Sequence, residues 1–312
     1  MTDSSSGRVA ERKKHSAAVV FLIRLVKEKP LGTVGGVITL LLLFTGIFAD
    51  FLAPYGMNES HGIENYLAAP SAGFWLGTDN LGRDILSRVI YGARISVIIG
   101  LAGSTVATVI STIIGIACGY IGGKLDLIVQ RVVDAWMCLP SLVVLLVVMS
   151  IVGAGMLPII FVLGFQWGLV GSRIVRGAVI GIKENVYIEA SRAIGCPTTR
   201  ILTRHILPNI MAPTIVLFTT RVPNVILTEA SLSFLGFGIP LPAPSWGGML
   251  SGSGRQYMFL APWMVIWPGL ALSTVVYGIN MFGDAVRDLL DPRLRGGVGR
   301  YGTRVKREGR EK

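Results

Sequence analysis

The sequence predicts an all-α, polytopic transmembrane helical bundle of about six spans. Three observations predict it. Only 15% of the 312 residues are charged, against roughly a quarter in soluble domains, and mean hydropathy is +0.63. The charges cluster, leaving uncharged runs able to cross about 30 Å of hydrocarbon, which takes roughly 20 helical residues. Basic residues, finally, gather in alternate connectors between those runs.

Each span follows from one run. Pro30 to Ala49 carries no charge and crosses once. Ile95 to Gly123 gives 29 uncharged residues, enough for a tilted second span. Ala135 to Ser172 has 38, too many for one crossing, and Gly153-Ala154-Gly155 followed by Pro158 breaks it into a hairpin, spans three and four. Ile206 to Thr228, apolar except for Arg221, makes span five. Gln256 to Gly283, with Trp263 and Trp267 near one end, makes span six.

Lys and Arg are retained on the cytoplasmic side of short loops. With the N-terminus inside, cytoplasmic pieces hold 24 of the 29 basic residues. External pieces hold Arg83, Arg88, Arg94 and Arg255, and Arg221 lies within a span. Both termini are therefore expected in the cytoplasm of a multi-pass inner (cell) membrane protein. The expected organisation is a basic cytoplasmic segment 1–29, then 30–94 with the first span, an external loop and an amphipathic helix leading into the second span. A transmembrane core 95–283 follows, containing a cytoplasmic segment 183–209, and then a basic cytoplasmic tail 284–312. Topology accounts for the net charge of +11, so no nucleic-acid partner is needed, and the tail from Arg293 to Lys312 is expected beside anionic headgroups of the lipid bilayer. Residues 1–14 show no cleavage-site pattern, and no removable signal peptide is expected.

Catalytic chemistry is not visible. His15, His61 and His205 all lie outside the apolar spans, and Asp50 and Glu229 sit near span ends, which suits neither a metal cluster nor a carboxylate dyad or proton relay. Cys118, Cys138 and Cys196 cannot all pair and read as small packing residues. A phosphate-cradling GxxxxGK[ST] loop is missing: at Gly123-Lys124 the upstream glycine is replaced by Cys118 and no Ser or Thr follows. The chain is expected to be no enzyme and to bind no cofactor, so any nucleotide would sit on another chain.

The informative connector runs from Lys183 to Asn209. Asn185 is placed to cap a helix on which Tyr187, Ala190, Ser191 and Ile194 share a face, and Gly195 stands where a helix end tolerates positive φ. Pro197 blocks continuation, Thr198 or Thr199 is placed to cap a second short helix containing Arg200, Ile201 and Arg204, and Pro208 leads into span five. Such a connector could rest on lipid as an interfacial helix. Small residues at 190, 191, 193 and 195 beside Glu189 and Arg192 suit docking into a groove of a cytosolic protein better.

Glu189-Ala190-Ser191, three residues, Gly195, then Leu207-Pro208 resembles the EAA signature of permease subunits of binding-protein-dependent ABC importers, written EAA, three residues, G, nine residues, I, one residue, LP. Ser191 replaces the third-position Ala, and His205 replaces the Ile. Gly77 to Asp84 with Ser87-Arg88 and Gly92 to Ser96, and Glu229 to Gly238 continuing to Pro244-Ser245-Trp246-Gly247, are similar to C-type permeases of dipeptide and oligopeptide importers. The resemblance covers about Gly77 to Asp291. It implies a type I importer permease that encloses a path with a homologous second permease. Two cytosolic ABC ATPases carrying ATP and Mg2+, and an extracytoplasmic peptide-binding protein, complete the assembly. The ATPase-coupling residues it implies are Glu189, Ala190, Ser191, Arg192, Gly195, Arg204, Leu207 and Pro208.

Other residues read structurally. Asp79 and Asp84 are expected to bond nearby backbone groups and arginines, and Glu229 to Gly238 to pack helices closely and build a gate. Arg221 either lines the path, with Glu229, Ser231 and Phe234, or snorkels or pairs helices; about 80° separates it from Glu229 on the helix, so no ion pair between them is implied. The competing functional class is a self-contained carrier or channel, and the same importer class also carries nickel and other small solutes.

Overall fold

The computed structural model describes residues 17–290. They form helices and loops, with no named strand among the described residues. Five helices are long and apolar enough to cross a membrane, and a sixth crossing arises if one bent helix pair counts as a span. The predicted fold class therefore holds.

In chain order, α1 (Ala17–Glu28) precedes α2 (Pro30–Ile47), the first span, and Pro30 suits its first turn because the missing N–H would be unpaired there anyway. A short α3 (Ala49–Leu52) follows, where the Asp50 carboxylate takes two hydrogen bonds from Arg94, the shorter at 2.7 Å, which hold it below the usual carboxylate range. An irregular stretch containing one 3-10 turn, Ile63–Asn65, reaches α4 (Ile85–Ile121). The 37 residues of α4 span about 55 Å without a break. The amphipathic helix expected ahead of the second span is thus not separate. Gly77 to Arg83 is a non-helical buckle, and Asp84 starts α4 by accepting from the backbone N–H of Ser87 at 2.8 Å.

The buckle explains its own charges. Asp79 Oδ1 accepts from the N–H groups of Leu81 and Arg83, and Oδ2 accepts from Arg83 Nε at 2.7 Å. Arg88 donates to the carbonyl of Met57, and the Trp263 indole donates to the carbonyl of Thr78, each at 3.0 Å. Both aspartates bond backbone groups, as the sequence suggested.

After α4, the expected loop is instead α5 (Gly123–Met137), set at 93° to α6 (Ser141–Val152). At twelve residues α6 is about 18 Å long, too short to cross alone. The expected third span is therefore not one straight helix, and a crossing here takes α5 and α6 together. The predicted break at Gly153 to Gly155 does separate α6 from α7 (Met156–Lys183). Then come α8 (Val186–Ala193), α9 (Thr198–Ile201), a π turn (Leu202–Ile206) and α10 (Leu207–Phe234), followed by α11 (Trp246–Leu250), α12 (Gly252–Tyr257) and α13 (Trp263–Leu290). Gln256, expected inside the sixth span, belongs to α12 ahead of it. Of the cysteines Cys118 is buried, but Cys138 is exposed at the end of α5 and does not pack in the interior.

The core is two helix seams bridged by α10. α4 lies along α7 where side-chain-free positions admit bulky neighbours: a methyl group on Gly119 would stand 2.8 Å from Val179 Cβ, and one on Gly168 2.7 Å from Ile110 Cβ. α2 lies along α13, and α10 touches α4, α7 and α13. One apolar cluster joins Ile99, Met149, Leu163 and Leu232, and another joins Leu42, Ile226, Trp246 and Ile279. A third, at the end where α4 and α7 finish, bears directly on the connector between α7 and α10.

Candidate functional site

Residues Glu184 to Pro208 form a helical hairpin clamped to the ends of α7 and α10. Its anchor is apolar: Ile188, Ile201 and Ile206 are fully buried with Val175 and Val179 of α7 and Ile210 of α10. One short helix can bury a single such side chain and still present its other faces to a partner. On α8 and at its end the remaining large apolar groups stay outside, with Val186 79% and Ile194 84% exposed.

The turn follows from Gly195. Its φ of +76° is left-handed, and the N–H of Gly195 donates to Arg192 O while that of Cys196 donates to Ser191 O, the paired bonds that satisfy carbonyls at a helix end. Pro197, and not Thr198 or Thr199, is the residue that precedes α9, and neither threonine side chain caps it. Asn185 stands at the start of α8, but its amide donates backwards to the carbonyls of Gly181 and Ile182, so it ties α8 to α7 without capping. Pro208 lacks an N–H and its ring crowds the carbonyl of Arg204. The backbone answers with the π turn just before it. From Thr198 to Phe234 the chain is one helical run.

The predicted coupling residues fall as follows. Glu189 and Ala190 are exposed on α8. Ser191 is half-buried, and its hydroxyl donates to Tyr187 O at 2.7 Å. The Arg192 guanidinium lies 5.0 Å from the Tyr120 ring centroid, and Lys183 donates to Tyr120 O at 2.6 Å, so two cations flank the end of α4. A cavity of about 320 Å3 separates this flank from α5, with Asp126, Glu184, Glu189 and Arg192 among its walls. Arg204, Leu207 and Pro208 are exposed on the π turn and first turn of α10. His205 lies beside Tyr187, ring centroids 6.2 Å apart, while Ile206 takes the buried position next to it.

The four residues offered for the path divide. Arg221 is buried, donates to the Trp167 carbonyl at 2.9 Å and stacks 4.7 Å from that ring, so it pairs α10 with α7. Glu229 is buried, with its Oε1 accepting from the Ser233 hydroxyl at 2.6 Å, and Ser233 in turn accepts from the N–H of Ile239. No ion pair joins Arg221 to Glu229 among the described residues, as their spacing implied. Ser231 is half-buried, and Phe234 is exposed with Asn224 and Leu227 on the open side of α10.

Sequence reasoning missed the anchors Ile188 and Ile206 and their neighbour Tyr120. The spacing of Ile201, Ile206 and Ile210 held part of that signal. It also missed α5, which lies against α7 through Arg176, bidentate on Asp126 with both bonds 2.5 Å, and through Arg173 on Asp134. A cleft of about 500 Å3 lies between the two helices.

The profile of the family described as binding-protein-dependent transport system inner membrane component matches residues 111–296, a stretch containing the hairpin, the bent pair α5–α6 and three of the five long apolar helices. The chain belongs to that family. Among its relatives, the dipeptide transport system permease protein DppC of Alkalihalophilus pseudofirmus is 38% identical over 270 residues, covering 86% of this chain and 88% of the relative. The oligopeptide transport system permease protein OppC of Bacillus subtilis is 38% identical with the same coverage. The glutathione transport system permease protein GsiD of Pectobacterium atrosepticum is 37% identical, covering 83% and 86%. In fold, the permease is similar to a chain of the MetNI methionine ABC transporter in inward-facing conformations, with a TM-score of 0.53 at 20% identity over 65% of this chain and 96% of that one. It is thus an inner membrane component of a binding-protein-dependent transport system.

Proposed function

We propose that this chain is the permease subunit of an ATP-driven importer of dipeptides and oligopeptides. It forms half of the path with a homologous second permease and places both termini in the cytoplasm. Two cytosolic ATPases, holding ATP and Mg2+, dock on the hairpin around α8, and an extracytoplasmic binding protein delivers the peptide. The chain itself catalyses nothing and binds no cofactor.

One observation carries the coupling role: α8 is held by a single buried side chain, Ile188, and offers Val186, Tyr187, Ala190 and Ile194 to the outside on a short rigid hairpin. An apolar face of that size beside Glu189 and Arg192 suits a groove in a soluble protein. The hairpin continues without interruption into α10, so displacement of the docked face is delivered to the bundle. Peptide as substrate is supported by relatives named for dipeptide, oligopeptide and glutathione transport, the last itself a tripeptide.

The test is uptake of labelled dipeptide into proteoliposomes holding the full complex, for the wild type and Glu189→Arg. The expected result is ATP-dependent uptake that the substitution abolishes while insertion into the membrane persists. Uptake that proceeds without any ATPase, as a self-contained carrier would show, overturns the proposal.

A further inference from the structure

The first described helix divides its surface into three arcs. Phe21 and Leu25 face the end of α13, where Leu25 is buried against Ala285 and Leu289. At 100° per residue, Arg24, Lys27 and Glu28 fall on a separate charged arc. Between these two, Val19, Leu22, Ile23 and Val26 form an apolar stripe that is 42–58% exposed. Such a stripe is costly in water.

Where α1 sits decides what covers it. Lys29 alone joins it to the first span: the backbone breaks there at φ −135° and ψ 71°, Pro30 begins α2, and the Lys29 ammonium pairs with Asp288 at 2.5 Å. The Thr33 hydroxyl donates back to Leu25 O, tightening the corner. A helix tethered this closely to a membrane span has one end at the membrane boundary. The apolar stripe leads in sequence into the outward face of α2, where Leu31, Val34 and Val37 are 51–69% exposed.

We infer that α1 is an in-plane membrane anchor: acyl chains of the inner leaflet cover the stripe, and anionic phospholipid headgroups meet its cationic flank. Apolar residues on one side, cations on the other and a fixed place at the interface are what binding in the plane of a leaflet requires. Arg24 is paired with Glu28 and Lys29 with Asp288, so Lys27 is the cation of this flank that has no ion pair among the described residues, and the sequence ahead adds Arg8, Arg12, Lys13 and Lys14. Each cation near an anionic surface adds to the attraction. The assignment to the inner leaflet rests on the orientation proposed above.

The experiment uses the full chain with its partner subunits in vesicles of phosphatidylcholine, with or without phosphatidylglycerol. Cys138 and Cys196 are replaced by serine, buried Cys118 is kept, and one polarity-sensitive thiol probe is placed by Leu22→Cys, Val26→Cys or Lys27→Cys. Nitroxide-bearing lipids should quench probes 22 and 26 several times more strongly than probe 27. Phosphatidylglycerol should deepen that contrast, and Arg24→Glu with Lys27→Glu should shrink it for probe 22. Equal quenching at 22 and 27, shielding of 22 by crosslinking to another subunit, or no effect of phosphatidylglycerol overturns the inference. A membrane-impermeant thiol reagent applied from outside reads orientation separately: labelling of 27 would reverse the sidedness while leaving the quenching pattern interpretable.

Discussion

Gly195 sits at φ +76° with open space around it, so its constraint is purely conformational. Gly195→Ala should cost the hairpin about 1–2 kcal/mol, because an L side chain in this region crowds its own carbonyl, and Gly195→Asn should cost less. Hydrogen exchange over residues 186–206 checks this; identical protection in all three proteins would remove the argument. Arg221 calls for the opposite comparison. Burying a cation is expensive even when it is bonded, so Arg221→Met should leave the complex near wild-type thermal stability. Arg221→Lys, which keeps the charge but loses the planar stack on Trp167, should destabilise it by about 1–3 kcal/mol. Melting of the purified complex decides the order, and a raised KM for peptide at unchanged stability would place Arg221 on the path instead. Its costly position was legible from one chain segment. Its partner was not, because a backbone carbonyl 54 residues away leaves no mark in composition.

Among the elements, legibility followed the criterion used to find them. Uncharged runs revealed α2, α4, α7, α10 and α13 in the right order, and glycine and proline positions marked the breaks before α7 and after α8. The same criterion hid α1 and α5, since both carry charges. Yet Leu125, Ile128, Val129, Val132, Val133 and Trp136 recur at helical spacing and held the signal for α5. Its angle to α6 was beyond reach, because ion pairs to α7 hold it. Reversing Asp126 or Arg176 singly should loosen α5, and exchanging the two should restore it, with a coupling energy of about 1 kcal/mol in a double-mutant cycle, modest because the pair is partly solvated. Additive single effects would count against the seat. At the π turn, Pro208→Ala returns an N–H and removes the ring that crowds Arg204 O. The expected result is relaxation to α-helix, a rotation of the hairpin by roughly 100° about α10, and loss of peptide uptake with ATP hydrolysis retained. Wild-type uptake in that variant would show that the extra residue in the turn is not needed.

Among the described residues, the basic connectors and the hairpin gather at one end of the bundle and the Asp79 buckle at the other. Residues from separate segments meet there: Trp246 donates to Val89 O in the first turns of α4 and Trp263 to Thr78 O in the buckle, bonding the two late helices to this end. The proposed orientation makes a direct forecast. Ala72→Cys, exposed in the buckle's loop, should react with an impermeant thiol reagent on intact cells, and Thr199→Cys should react only after permeabilisation. The reverse pattern would invert the topology.

Were the hairpin displaced as proposed, the continuous run from Thr198 to Phe234, held to Trp167 part-way along, would turn about that contact as a see-saw. Its inner arm, Thr198 to Arg221, is about 35 Å and its outer arm, Arg221 to Phe234, about 20 Å. A sideways shove of roughly 3 Å at the inner tip then tilts the outer tip by roughly 2 Å in the opposite sense. Both mouths of the bundle would thus be worked by a single stroke, one narrowing as the other widens.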